Sequence, residues 1–138
     1  SSLGDEHLDN QQRLTGRIRY RPMNRYVAGI DAGTTGTTVM VTDLEGKVMG
    51  CGYREYSCTY PRAGWVEQDM NAIWEAICEA SNQALSESGV DAKQIGSLGF
   101  SSQRGTFVAI YEEWNCLHDS IVWSDSRAGE EKRWLKKN

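Results

Sequence analysis

The stretch YVAGIDAGTTGTTVMVT, residues 26–42, decides the fold of this chain. Two β-prone runs flank a Gly/Thr turn at residues 33–36. A second turn signal, DLEG at residues 43–46, leads into a third β-prone run at residues 47–56. Strands joined by such short turns pair with their neighbours in sequence, so this region predicts a three-stranded antiparallel meander.

The next segment has the pattern of a long helix that covers the sheet. Asp69 is the expected N-cap, the helix extends to Ser88, and Gly89 supplies the stop. Apolar residues recur along it at helical spacing: Ile73, Ile77, Ala80 and Ala84. We expect that stripe to face the core.

The remaining sequence predicts several shorter elements. They are a helical turn at residues 91–94, a buried strand at 95–101, strands at 106–111 and 120–123, and a helix at 125–137. Together with the meander, this order predicts an α/β fold with a mixed sheet, because strands and helices do not strictly alternate as in a doubly wound fold.

Composition limits the function classes. The 138 residues suffice for one domain, and 39% hydrophobic with 25% charged residues is ordinary for a globular protein. The net charge of −4 argues against a nucleic-acid partner, and no apolar run is long enough to predict a membrane span. The four cysteines are scattered without a C-x-x-C pair, so we expect a reduced, cytoplasmic setting.

The run DAGTTGTT at residues 31–38 has the composition of a phosphate-binding turn. Glycines let the backbone approach phosphate oxygens, and threonine hydroxyls beside them can add donors. Asp31, at the end of a predicted strand, can hold Mg²⁺ through water molecules. The alternative is an ordinary hairpin turn with β-prone threonines. A Walker loop is excluded, since the Gly46-Lys47 pair is followed by Val48.

Two later motifs carry polar groups suited to a polyol or sugar. SSQRGT at residues 101–106 follows a predicted strand, and Gln103 and Arg104 can donate hydrogen bonds to hydroxyls. In IVWSDSR, residues 121–127, Trp123 offers a flat wall for the C–H face of a sugar and Asp125 can bond its hydroxyls. The alternatives are a solvated turn, a core tryptophan and a helix cap. A fourth motif, GWVEQD at residues 64–69, is explained by a staple-and-cap role before the helix.

Taken in order, these four motifs resemble the FGGY carbohydrate kinases, a family that includes glycerol and xylulose kinases. The resemblance covers residues 25–138 and implies an actin/hexokinase-like (ribonuclease H-like) fold and an ATP-dependent sugar kinase. It implies ATP and Mg²⁺ as cofactors, with Asp31 near the metal. The positions that it assigns to the ATP phosphates are Gly33, Thr34, Thr35, Gly36 and Thr37. The positions that it assigns to the substrate are Gln103, Arg104, Gly105, Trp123 and Asp125.

Some residues depart from the family pattern. Glycerol kinases carry Glu at the position of Gly105 and tend to have Arg at the position of Thr38. Both departures argue against glycerol and leave room for a longer sugar. The Met-His pair typical of xylulokinases at this turn is also absent, so the acceptor stays open.

Family members are much longer than this chain, so we expect residues 25–138 to be the N-terminal, incomplete part of the first kinase domain. The general base and the second phosphate loop would come from later sequence, which leaves no catalytic residue here. We therefore expect the isolated chain to be inactive and, with part of its sheet uncovered, to self-associate. ADP production by the purified chain, or a monomeric mass by light scattering, would contradict these expectations.

Three further readings remain open at this point. Residues 1–24 are polar and aperiodic, which is typical of a flexible leader or a cloning-derived tail, with a subunit-docking arm as the alternative. The DAGTT turn also fits a nucleotide-responsive binding module related to actin-like ATPases. A catalytically dead family member acting as a scaffold is the third possibility.

Overall fold

The computed structural model describes residues 25–138, and the predicted leader at residues 1–24 lies outside the described residues. Its strands are β1 (Tyr26–Ala32), β2 (Gly36–Asp43), β3 (Val48–Glu55), β4 (Glu67–Gln68), β5 (Ile95–Ser102) and β6 (Ser120–Ile121). Its α-helices are α1 (Met70–Ser88) and α2 (Gly129–Leu135), and short 3₁₀ turns occupy Ala92–Gln94 and Glu112–Trp114.

The main sheet of the described region has the strand order β3-β2-β1-β5. β1 pairs antiparallel with β2, and β2 pairs antiparallel with β3, which confirms the predicted meander. β5 lies parallel to β1, with Ala32 opposite Ser102 at the last pair of the ladder. Because parallel strands end at the same edge, the turn after β1 and the turn after β5 are neighbours in space.

Helix α1 forms as its sequence predicts and covers one face of the meander. The Asp69 side chain accepts a hydrogen bond from the Asn71 N–H, and Gly89 ends the helix in the left-handed conformation. The four predicted core residues of the stripe are all buried. The helix packs closest at Gly52 of β3, where a built Cβ would lie 1.9 Å from the Ala80 carbonyl oxygen. A glycine at this position therefore lets the helix backbone touch the strand.

A second, smaller sheet links the middle of the chain to its C-terminal part. β4 pairs antiparallel with β6, with Glu67 opposite Ile121 and Gln68 opposite Ser120. Phe107 forms a further isolated bridge with Ile121. These pairings bring the segments around residues 64–68, 106–107 and 120–127 together beside the ends of β1 and β5.

The predicted strand at residues 95–101 exists, but the prediction that it is buried is wrong. Leu98 is 61% and Phe100 is 62% exposed. The physical reason is placement, because α1 packs mainly on β2 and β3. No element among residues 25–138 covers the α1-side face of β5, so its apolar side chains remain open.

Three other boundaries are also corrected. Residues 106–111 form isolated bridges rather than a strand, and the strand predicted at 120–123 is only Ser120–Ile121. The last helix is Gly129–Leu135, shorter than the predicted 125–137. Hydrogen bonds from the 122–127 segment back to residues 64–66 replace helical bonds there.

All four cysteines are free thiols, and no helix of the described region has the length and apolarity that a bilayer crossing requires.

Candidate functional site

The Gly/Thr turn between β1 and β2 is held in place by hydrogen bonds that its carbonyl groups accept. The Gly33 N–H donates to the Gly36 carbonyl at 3.0 Å, and the Tyr56 hydroxyl donates to the Gly33 carbonyl at 2.7 Å. Within residues 25–138, the backbone N–H groups of Thr34 and Thr35 have no hydrogen-bond partner. Free N–H groups on a glycine-flanked turn are the groups that bind an anion.

The threonine hydroxyls of the turn differ in what they offer. Thr37 is fully buried and its Oγ1 donates to the Asp31 carbonyl at 3.0 Å. The Thr34 Oγ1 donates to Gln103 Oε1 at 3.1 Å. A hydroxyl has one proton, so both of these protons are already committed. The expectation that threonine hydroxyls add donors to a phosphate is therefore limited to Thr35 and Thr38, whose hydroxyls have no hydrogen-bond partner within residues 25–138.

Asp31 lies on the exposed face of the sheet, opposite the face that α1 covers. A shallow depression of about 420 Å³ borders it, lined in part by Gly29, Thr38 and Ser101. No group of three or more His, Cys, Asp or Glu side chains able to hold a metal occurs in the described region. A metal beside Asp31 would therefore take most of its ligands from water or phosphate oxygens rather than from a cluster of described protein side chains. Such a site suits Mg²⁺, which keeps most of its waters.

The turn after β5 is joined to the Gly/Thr turn. The Gln103 N–H donates to the Ala32 carbonyl at 3.0 Å, which continues the β1–β5 contact beyond the strands. Gly105 has a positive φ of 76°, the left-handed region that favours glycine. A built Cβ on Gly105 would lie 3.3 Å from Trp123 Cβ. The Arg104 side chain is exposed and forms no salt bridge within residues 25–138.

Trp123 lies between the two turns. Its indole Nε1–H donates to Thr34 Oγ1 at 3.1 Å, and its backbone N–H donates to Thr106 Oγ1 at 3.2 Å. The side chain is nevertheless 60% exposed, so much of the ring surface is free. The predicted aromatic wall thus adjoins both the Gly/Thr turn and Gly105.

Asp125 is held by protein groups on both carboxylate oxygens. Oδ2 accepts from the Val66 N–H at 2.7 Å, and the Arg127 guanidinium donates to Oδ1 at 2.9 Å and to Oδ2 at 2.8 Å. Hydrogen bonding from Arg127 holds the pKa of the Asp125 carboxyl well below its ordinary value. The same guanidinium pairs with Glu67 at 2.8 Å and stacks over the Trp65 ring, 3.9 Å from its centroid. This cluster fastens the segment that carries Trp123 to the segment before α1.

Residues 26–138 match the N-terminal domain model of the FGGY family of carbohydrate kinases. The chain belongs to this family. Glycerol kinase from Haloferax volcanii is 44% identical over 103 residues, which are 74% of this chain and 20% of that protein. Glycerol kinase from Thermococcus onnurineus is 36% identical over 115 residues, 83% of this chain and 23% of that protein. This FGGY chain therefore spans about a fifth of the length of the curated relatives it matches.

Solved structures of sugar kinases share the fold of this FGGY chain. Xylulose kinase from Rhodospirillum rubrum superposes with a TM-score of 0.76 at 26% identity, covering 82% of this chain and 23% of that one. Gluconate kinase from Lactobacillus acidophilus gives a TM-score of 0.74 at 27% identity, covering 81% of this chain and 22% of that one. The actin/hexokinase-like kinase fold with a mixed sheet is thereby confirmed.

Two residues of the candidate site, Tyr56 and Gln68, are not predicted from the sequence. Tyr56 supports the Gly/Thr turn from the end of β3, and burial, with a smaller effect from the Asp31 charge, raises the pKa of its phenol. Gln68 is fully buried between the two turns. The GWVEQD motif predicts only a staple and cap at this position, and a single polar residue beside a helix start gives no signal of such burial. A tyrosine at a strand end is equally uninformative.

Proposed function

We propose that the protein containing this chain transfers the γ-phosphoryl group of ATP to a hydroxyl of a sugar or polyol. One observation carries the proposal. The turn with free N–H groups is hydrogen-bonded through Thr34 to both Gln103 and Trp123. A phosphate-binding backbone thus adjoins polar and aromatic groups suited to a hydroxylated substrate, and phosphoryl transfer depends on positioning donor and acceptor together.

The donor side uses the turn between β1 and β2. We assign the phosphate contacts of this phosphate turn (residues 33–36) to the free backbone N–H groups of Thr34 and Thr35. Gly33 and Gly36 flank them and let the backbone approach the phosphate, and the Thr37 hydroxyl supports the turn through the Asp31 carbonyl. Asp31 would hold Mg²⁺, which when bound neutralises charge on the ATP phosphates. The exposed, single carboxylate beside free backbone donors fits this role.

The acceptor side uses the turn after β5 and the Trp123 segment. The exposed Arg104 guanidinium offers five donors, and the second Nε2 proton of Gln103 is also available. Trp123 offers its ring surface, and Gly105 leaves space beside it. Asp125, proposed from the sequence as a hydroxyl partner, is reassigned here to holding the Trp123 segment, because both of its oxygens are occupied.

The acceptor is proposed only as a class. The relatives named above are glycerol, xylulose and gluconate kinases, so the acceptor belongs among polyols, sugars and sugar acids. Because the chain spans about a fifth of the length of its relatives, we propose that it lacks the general base and is inactive alone. Self-association and a cytoplasmic location stay predictions.

The test is a coupled assay of ADP production by the complete polypeptide that contains this chain. Asp31→Asn should lower acceptor-dependent ADP production about 10- to 100-fold, as expected for loss of a group that orients a metal through water. Glu45→Gln removes the same charge in the exposed β2–β3 turn and should leave the rate unchanged. Equal activity of the two variants would refute the role of Asp31. ATP binding without ADP production from any acceptor would favour a nucleotide-binding module.

A further inference from the structure

Gln68 is the largest fully buried side chain of the described region, and both ends of its amide are bonded. Its Nε2 donates to the Thr34 carbonyl at 2.6 Å, and its Oε1 accepts from Gln103 Nε2 at 2.8 Å. Its backbone carbonyl accepts from Ser120 Oγ at 3.0 Å, and the pairing of β4 with β6 places Gln68 opposite Ser120. A buried amide whose nitrogen and oxygen are both hydrogen-bonded is held in one orientation.

That orientation determines the direction of every hydrogen bond that follows. The Thr34 carbonyl can only accept, so Gln68 must present Nε2 to it and Oε1 to Gln103. Gln103 must then offer its Nε2 to Gln68, which leaves Gln103 Oε1 facing the Thr34 hydroxyl. The Thr34 hydroxyl must therefore donate, and only its lone pairs remain for the Trp123 indole N–H.

We propose that Gln68 is a positioning residue that couples the phosphate turn to the acceptor side through this network. The proposal rests on the proposed function and adds to it a residue that touches neither ATP nor acceptor. By holding the Thr34 carbonyl, Gln68 fixes the turn in which the Thr34 and Thr35 N–H groups are free within residues 25–138. By orienting Gln103, it directs the Thr34 hydroxyl proton to Gln103 Oε1 and away from the phosphates. The oxygen of that hydroxyl then accepts the hydrogen bond from the Trp123 indole and holds the ring.

The ring position of Trp123 gives a readout that needs no kinase activity. The chain has five tryptophans, and their indole N–H signals can be separated by ¹H–¹⁵N NMR, with Trp123→Phe assigning the relevant one. Trp114, 84% exposed, serves as the reference for an indole in water. Gln68→Met keeps the length of the side chain but removes both polar atoms. We expect the Trp123 indole signal to move towards the Trp114 position in this variant.

Matched variants separate positioning from simple stability. Gln94→Met is the control, because the Gln94 side chain makes no hydrogen bond within residues 25–138, and it should leave the Trp123 signal unmoved. Gln103→Met breaks the network one step later, on a half-exposed turn, and should move the signal even if Gln68→Met does not fold. An unmoved Trp123 signal in folded Gln68→Met, or in Gln103→Met, would overturn the proposal.

Kinetics of the complete polypeptide provide the second readout. Gln68→Met should raise KM for the acceptor about tenfold, the cost of one misplaced hydrogen-bonding group, with a smaller change in kcat. A purely structural role would reduce the active fraction and leave KM unchanged, and that result would also overturn the proposal. Absence of acceptor-dependent activity in the unmutated protein would contradict the proposed function alone, since the NMR result decides the network independently.

Discussion

Gly52→Ala is the substitution whose cost is best defined by the structure. A methyl group at this position would lie 1.9 Å from the carbonyl oxygen and 2.8 Å from the carbonyl carbon of Ala80 in α1. Ordinary contacts of a Cβ begin at 3.4 Å, so the helix and β3 must separate by more than 1 Å. The obstacle is helix backbone, which cannot rotate away as a side chain can. The whole contact between α1 and the sheet is therefore disturbed.

The expected loss lies at the upper end of the range for overpacked cores, about 3 kcal/mol in the free energy of unfolding. At a denaturant dependence of about 2 kcal/mol per molar urea, the unfolding midpoint of the chain should fall by roughly 1 to 2 M. Gly29→Ala is the matched control, because a built Cβ on Gly29 has no neighbour within 4 Å. That variant should change the midpoint little. Equal midpoints for the two variants would refute the close approach of α1 and β3.

Two further predictions concern pH and hydrogen bonds. The pKa of Asp125 is lower in the folded chain than the ordinary carboxyl pKa of 3.8. Its ionised form therefore stabilises the fold fully above pH 3.8, and this stabilisation is lost as the pH falls through the lower pKa of the folded state. Urea midpoints measured from pH 5 downward should therefore fall less steeply for Asp125→Asn than for the unmutated chain, and equal slopes would contradict the ion pair. The pKa of Tyr56 is higher in the folded chain than the ordinary phenol pKa of 10.0. Its protonated form therefore stabilises the fold fully below pH 10.0, and this stabilisation is lost as the pH rises through the higher pKa of the folded state. Tyr56→Phe should lower the free energy of unfolding by about 1 kcal/mol at neutral pH and should remove this part of the stability loss at alkaline pH. If the urea midpoint of Tyr56→Phe fell with rising pH as steeply as that of the unmutated chain, this prediction would be wrong.

The regions that the sequence predicted well are those governed by local rules. The meander follows from alternating β-prone runs and short turns, and α1 follows from its Asp69 cap, its apolar stripe and the Gly89 stop. The wrong predictions share a different cause. The burial of Phe100 and the length of the last helix depend on which distant elements are present, and such contacts leave no periodic signal in the chain.

The candidate site shows the same division. The motifs singled out Thr34, Gln103 and Trp123 as site candidates whose roles towards phosphate and substrate stay predictions, and the structure joins the three residues by hydrogen bonds. They did not reveal that Asp125 is enclosed by Arg127 and the Val66 N–H, because a carboxylate in a polar loop has the same sequence signature whether it is free or paired. Gln68 was missed for the same reason, since its importance lies entirely in what surrounds it.

The most direct test of the central claim is the transfer of the γ-phosphoryl group itself. The complete polypeptide would be incubated with Mg²⁺, γ-labelled ATP and a panel of glycerol, other polyols, pentoses, ketoses, hexoses and sugar acids, and the acceptors would be analysed by mass spectrometry. We predict that one acceptor class gains a labelled phosphoryl group and that Asp31→Asn lowers the yield while Glu45→Gln does not. Label that stays on ATP, or passes only to water, with every acceptor would contradict the assignment of this protein as a sugar or polyol kinase.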